Sequence, residues 1–131
     1  MKIRAYAVAE QDKTRTLPRH FGQDMLIVEQ TVYTCMSKFA SSYAGGSWRF
    51  FELSNGGFYM SPPDGEYEIS IDSNGFVGRM GGDAAGIVVC LITFSDLSHN
   101  HSAKKFTEHF HRLRDFAFEH AEVATILQAI D

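Results

Sequence analysis

Residues Tyr43 to Pro62 constrain the fold most tightly, because their order of residue types admits little besides a β-hairpin. Trp48 to Leu53 is rich in aromatic side chains that suit a pleated surface. Ser54-Asn55-Gly56-Gly57 then supplies residues that tolerate positive φ, and Phe58-Tyr59-Met60 forms the return strand. Pro62 and Pro63 end it, since neither can donate to a ladder. Side chains alternate across a strand, so Trp48, Phe50 and Glu52 point to one side and Arg49, Phe51 and Leu53 to the other. Both faces carry apolar bulk, so either helices cover the hairpin on both faces, the commoner fate of such residues, or one face presents aromatic groups to a partner.

The elements after the hairpin are equally legible. Glu66 to Ile71 alternates strictly, placing Tyr67, Ile69 and Ile71 on one face of a half-buried strand. Asp72-Ser73-Asn74-Gly75 is a turn with the Asn-Gly signal, so Phe76 to Met80 pairs back antiparallel. Asp83 caps a nearly all-apolar run, Ala84 to Leu97. Its β-branched content suggests a strand, but its length favours a buried helix. Ser102 is the expected cap of a further helix with Phe106, Phe110, Leu113 and Ala117 inward and a Glu108 to Arg112 pair outward. Residues 121–130 form the last helix. Before the hairpin, Met25, Val28, Val32, Cys35, Met36 and Phe39 recur at helical spacing, giving a helix over 25–42 with Asp24 as N-cap and Gly45-Gly46 as stop.

The start of the chain is less regular. Ile3, Ala5 and Ala7 alternate weakly, so residues 1–16 read as a frayed arm or an edge strand. Leu17-Pro18-Arg19-His20-Phe21-Gly22 reads as non-helical because of its proline and glycine. Residues 17–131 are then one α+β domain: a four-stranded antiparallel meander packed with about four helices. A chain of 131 residues with 44% hydrophobic content suits one core. No apolar run reaches the roughly 18 residues that span a bilayer, and the first residues lack a secretory h-region, so a cytoplasmic protein is expected. Cys35 and Cys90, each in an apolar stretch, read as reduced core thiols.

Chemistry is sparse. The histidines lack metal-ligand spacing: His109 and His111, two apart on a helix, point in opposed directions. No nucleophile, phosphate-loop or dinucleotide motif is present. His111 and Asp115, four apart, could share a hydrogen bond and would anchor a small hydrolase or ligand-binding domain. No catalytic, cofactor or metal residue is assigned. The net charge of −4 argues against a general nucleic-acid binder. It is unevenly spread, however, with Lys2, Arg4, Lys13, Arg15 and Arg19 near the start and Asp64, Glu66, Glu68 and Asp72 in the third strand.

Several motifs together resemble a known family. Leu17-Pro18-Arg19-His20-Phe21-Gly22, Tyr43 to Trp48, Glu52 to Met60, Asn74-Gly75-Phe76, Asp83 to Val88 and the ending Ala129-Ile130-Asp131 are similar to the antirestriction proteins of the ArdB and KlcA kind. The resemblance runs from about Leu17 to the last residue, and Leu53 to Met60 is its most distinctive part. Residues 1–16 fall outside it, and Ser47 stands where relatives can carry an aromatic residue. The resemblance implies a small cytoplasmic, non-enzymatic protein carried by mobile DNA, which relieves type I restriction of unmodified incoming DNA. Its partner would be the restriction-modification enzyme or an associated host factor.

Charge arithmetic bears on mechanism. Imitating about ten base pairs of duplex, roughly 34 Å, needs on the order of twenty negative charges. This chain has sixteen acids offset by twelve bases. Extended DNA mimicry is therefore not the expected mechanism. A contact surface around the hairpin is, with Trp48, Arg49, Asn55 and Tyr59 as candidates, since aromatic residues and arginine dominate binding energetics. The competing readings are a DNA-binding protein that shields sites with its basic first residues, and the ligand-binding domain around His111 and Asp115.

Overall fold

The computed structural model describes residues 2–101 and 103–131. The expected cap at Ser102 lies outside them. Five strands and five helices follow one another as β1 (Ala5–Ala7), α1 (Lys13–Phe21), α2 (Met25–Phe39), β2 (Arg49–Leu53), β3 (Phe58–Ser61), β4 (Glu66–Ile71), β5 (Phe76–Gly81), α3 (Gly82–His101), α4 (Lys104–Ala117) and α5 (Val123–Ile130). Short 3₁₀ turns precede α1 and α2. The α+β class and the four expected strands are as the sequence indicates.

The strands do not form one meander. They make two antiparallel sheets, β1-β2-β3 and β4-β5. Prolines 62 and 63 break the ladder after β3, and its outer edge is already occupied. The Met60 N–H donates to Cys90 Sγ at 3.5 Å and the Cys90 thiol donates back to the Met60 carbonyl at 3.6 Å. The helix α3 therefore takes the place that β4 would need. It can approach so closely because residue 86 is glycine: a Cβ there would lie 2.5 Å from the Met60 carbonyl oxygen. Along α3, Ala84 to Leu91 is continuously buried, which accounts for an apolar run with no polar face.

The first residues are folded onto the domain. β1 pairs with β2 in the register Ala5 to Leu53, Tyr6 to Glu52 and Ala7 to Phe51. Arg4 and Ser54 close the hairpin tip through two hydrogen bonds, at 2.9 and 2.8 Å. The expected boundary at residue 16 falls inside α1, and the segment around Pro18, expected to be non-helical, is helical. Pro18 forfeits one hydrogen bond to the preceding turn. Burial of Thr16, Leu17 and Phe21 on one face of α1 outweighs that loss, at about 2 to 3 kcal/mol for a fully buried large apolar side chain. Gly22, at φ 55°, ends the helix by donating its N–H to the Pro18 carbonyl. The next helix, α2, stops at Phe39, before Gly45-Gly46, and Asp24 occupies its N-cap position without a side-chain capping hydrogen bond. The Asp24 carboxylate pairs instead with Lys105 at 2.6 Å.

The core lies between α3, the β2-β3 hairpin and the inward faces of α1, α2 and α4. Phe21 is its centre, with ring centroids 5.9 Å from Phe58, 5.6 Å from Phe94 and 6.2 Å from Phe106. β4 shows the expected alternation, with Tyr67, Ile69 and Ile71 buried and Glu66, Glu68 and Ser70 exposed. The expected Glu108 to Arg112 ion pair does not form among the described residues. Arg112 lies over the hairpin tip, within 4 Å of where a Cβ on Gly56 would be. Both cysteines are buried and free.

Candidate functional site

Alternation along β2 and β3 gives the hairpin two faces of different character. The inner face carries Phe50, Phe58 and Met60, all buried, and Glu52 at its end. Glu52 accepts from Arg19 at 2.8 Å and pairs with the His20 ring, tying α1 to the sheet. The outer face carries Arg49, Phe51 and Tyr59. The Phe51 and Tyr59 rings, directly opposed in the ladder, stack at 4.7 Å and 14°. Tyr59 continues the stack to Phe116 of α4 at 5.8 Å, and the Arg49 guanidinium lies 5.6 Å from the centre of the Phe51 ring.

Tyr59 also joins a polar chain. Its hydroxyl donates to Asp83 Oδ1 at 2.8 Å, and His120 Nε2 lies 2.9 Å from Asp83 Oδ2. His120 Nδ1 accepts the Glu122 N–H at 3.0 Å, so the imidazole proton sits on Nε2 and is donated to Asp83. Burial pushes the Asp83 carboxyl up, but the hydrogen bonds from His120 and Tyr59 outweigh it and hold the group below its ordinary range. Burial, with the Asp83 charge beside it, drives the Tyr59 hydroxyl far above its usual value. Every member of this chain has a partner, so it clamps β3, α3 and the α4-α5 turn together and presents no free base or nucleophile.

The four expected contact residues do not form one exposed surface. Trp48 is 4% exposed; its Nε1–H donates to the Tyr43 hydroxyl at 2.8 Å and its ring meets Tyr33 edge-on at 5.2 Å. Tyr59 is 2% exposed. Asn55 is a clip: its Nδ2 donates to the Arg112 carbonyl at 2.9 Å and its Oδ1 accepts the Gly57 N–H at 3.0 Å. Only Arg49 is well exposed, and it pairs with Asp64. Aromatic residues on a hairpin covered from both sides are core, which corrects the reading of Trp48 and Tyr59 as solvent-facing anchors. Trp48→Phe should therefore cost about 1 to 2 kcal/mol of stability through the lost Tyr43 bond and lost ring contact, as urea denaturation would show.

His111 and Asp115 both sit on the exposed side of α4, with no hydrogen bond between them among the described residues. That placement removes the basis for a hydrolase or ligand site there. The histidine that matters structurally is His109, which the sequence reading left out of the inward stripe. It is 3% exposed, packed 4.7 Å from Phe21 and 5.0 Å from His20, and its Nδ1 has no partner among the described residues. The signal was present: position 109 lies three after Phe106 and four before Leu113, on the same face.

The charged segments are similarly engaged. Arg79 sits opposite Glu68 in the β4-β5 ladder, bonds it at 2.9 Å and reaches Glu66 at 3.8 Å. Asp64 is held by Arg49. Near the start, Lys13 pairs with Glu10 and Arg19 with Glu52. Among the described residues, three of the four acids in 64–72 and two of the five basic residues near the start are thus held in ion pairs.

A family model described as antirestriction protein matches residues 41–131. The chain belongs to the antirestriction protein family. An antirestriction protein KlcA of Escherichia coli is 44% identical over 98% of this chain and 94% of its own length. The E. coli K12 protein YfjX is 36% identical over 95% of this chain and 85% of its own length. A solved structure superposes on the whole chain with a TM-score of 0.92 and 37% identity, covering 96% of that chain. It is described as showing that KlcA and ArdB proteins have a novel fold and antirestriction activity against type I DNA restriction systems in vivo but not in vitro. The two-sheet arrangement around α3 is thus the antirestriction fold.

Proposed function

We propose that this protein relieves type I restriction of unmodified DNA entering the cell, acting in the cytoplasm as a binding protein without catalysis. The observation that carries this reading is the match to KlcA and ArdB over essentially the whole chain, at 37 to 44% identity and a TM-score of 0.92. Activity of those proteins in vivo but not in vitro supports a mechanism that needs a cellular component, either the restriction enzyme in its working state or an associated host factor. Among the described residues no helix is long and apolar enough to cross a membrane.

The charge placement supports a protein partner over DNA mimicry or DNA shielding. Three of the four acids in residues 64–72 are paired with Arg49 or Arg79, which reduces an already short run of charge. Arg49, stacked on the half-buried Phe51 ring and paired with the exposed Asp64, is the one of the four candidate hairpin residues exposed enough to touch a partner. Glu66→Gln with Glu68→Gln should leave restriction relief within about threefold of the wild type, because exposed pairs contribute only about 0 to 1 kcal/mol and the mimicry they would serve is absent. Arg49→Ala should reduce relief while leaving the fold intact. Plating unmodified phage on restricting cells expressing each variant reads both; loss of relief on neutralising the two glutamates would favour mimicry instead.

A further inference from the structure

Two cavities, of about 360 and 400 Å³, share a wall made by Phe39 and Asp96 and together form a groove across α2, α3 and α5. The groove uses none of the β2-β3 hairpin residues discussed above, although Ile71, Ser73 and Asn74 of the β4-β5 hairpin line its first cavity. Phe39, Ile92, Phe110 and Ile130 lie along the first cavity and Ile27 along the second, each half-buried and packed on the core beneath. Ser73, Asn74 and Ser95 in the first cavity and Gln30, Thr31 and Thr34 in the second make the lining mixed, and its charge is mostly negative. Asp96 stands at the shared wall and Asp131 at the α5 end. Lys38, in the second cavity, is the one cation among the described residues that line either cavity. Asp96 makes no ion pair among the described residues, unlike Glu66 and Glu68 of β4.

We propose that this groove receives an amphipathic helical segment of a partner protein, whose apolar side chains enter the two cavities while a lysine or arginine meets Asp96 and Asp131. Helix-in-groove recognition requires this combination: spaced apolar pockets give affinity, and complementary rim charge sets orientation and partner choice. The same charge disfavours a second copy of the chain as occupant, since two molecules of net charge −4 would bring like charges together at the rim. The proposal names the chemistry of the partner and rests on the antirestriction reading for its biological purpose.

The test is a titration of isotope-labelled protein with two synthetic helical peptides that share one apolar face, one carrying lysines and the other glutamates. The lysine peptide should shift the amide signals of Phe39, Ile92, Asp96 and Ile130 and bind about tenfold more weakly to Asp96→Lys, a substitution at an exposed site. Ile92→Glu should abolish binding by blocking the first cavity. Equal binding of both peptides, shifts centred elsewhere, insensitivity to Asp96→Lys, or sedimentation showing a dimer that Ile92→Glu dissociates would each overturn the proposal. Plating separates it from the functional reading. Full restriction relief by an Asp96→Lys protein that has lost peptide binding would dismiss the groove as the partner site and leave the antirestriction role standing. An absence of relief by the wild type would dismiss the role whatever the titration shows.

Discussion

Gly86→Ala is expected to lower unfolding stability by about 3 kcal/mol, although alanine is the better helix former by about 1 kcal/mol. The added Cβ would lie 2.5 Å from the Met60 carbonyl oxygen and 2.6 Å from Ser61 Cα. Both are backbone atoms of a buried strand, so neither can swing aside as a flexible side chain could. Relief requires α3 to move off β3, and that motion would open the contacts of Ile87 and Cys90 as well. It would also lengthen the Met60 to Cys90 hydrogen bonds that close the edge of the sheet. The measurement is urea denaturation followed by far-ultraviolet circular dichroism, with a fall in midpoint at unchanged slope. A loss below about 1 kcal/mol would mean that α3 is free to shift and does not fix the edge of β3.

The second large effect is acid lability centred on His109. Burial, helped by the nearby His20 and Arg112, pushes this imidazole down from its ordinary 6.5 to about 4. The unfolded chain therefore binds a proton more readily than the folded one between those values, and stability falls as pH drops from about 6.5 to about 4. At 1.36 kcal/mol per pH unit the full loss is about 3 kcal/mol, levelling off once the folded form also protonates. Asp83 acts in the same direction at lower pH: its depressed pKa contributes stability that is present above the ordinary carboxylate range and is lost as the group protonates in the folded state. Denaturation of the wild type at pH 7.5 and 4.5, beside His109→Leu, isolates the first contribution. The variant should lose most of the pH dependence in this window and be no less stable at pH 7.5, because the wild-type ring buries an Nδ1 without a partner. An equally steep slope in the variant would move the acid sensitivity to other groups.

How far the sequence foretold this molecule depends on which physical effect decides each element. The β4-β5 hairpin and the buried α3 were legible because strict alternation and a long unbroken apolar run each have few structural solutions. The helix around Pro18 was not, since local propensity speaks against it and only the tertiary burial of Leu17 and Phe21 decides the matter. The division into two sheets was hidden for a similar reason: nothing local to Met60 reveals that Cys90 will occupy its edge. The hairpin was recognised, yet Trp48 and Tyr59 were assigned to a partner because residue types that make good binding anchors also make good cores. The Tyr59-Asp83-His120 chain joins residues far apart in sequence, so no spacing rule could find it.

The most direct test of the central claim is the plating efficiency of unmodified phage on paired strains, one with and one without a type I restriction system. Each strain expresses this protein or an empty vector, with soluble expression verified in parallel. The account predicts relief of restriction by orders of magnitude in the restricting strain and no change in the other. Equal plating with protein and with vector in the restricting strain would contradict it.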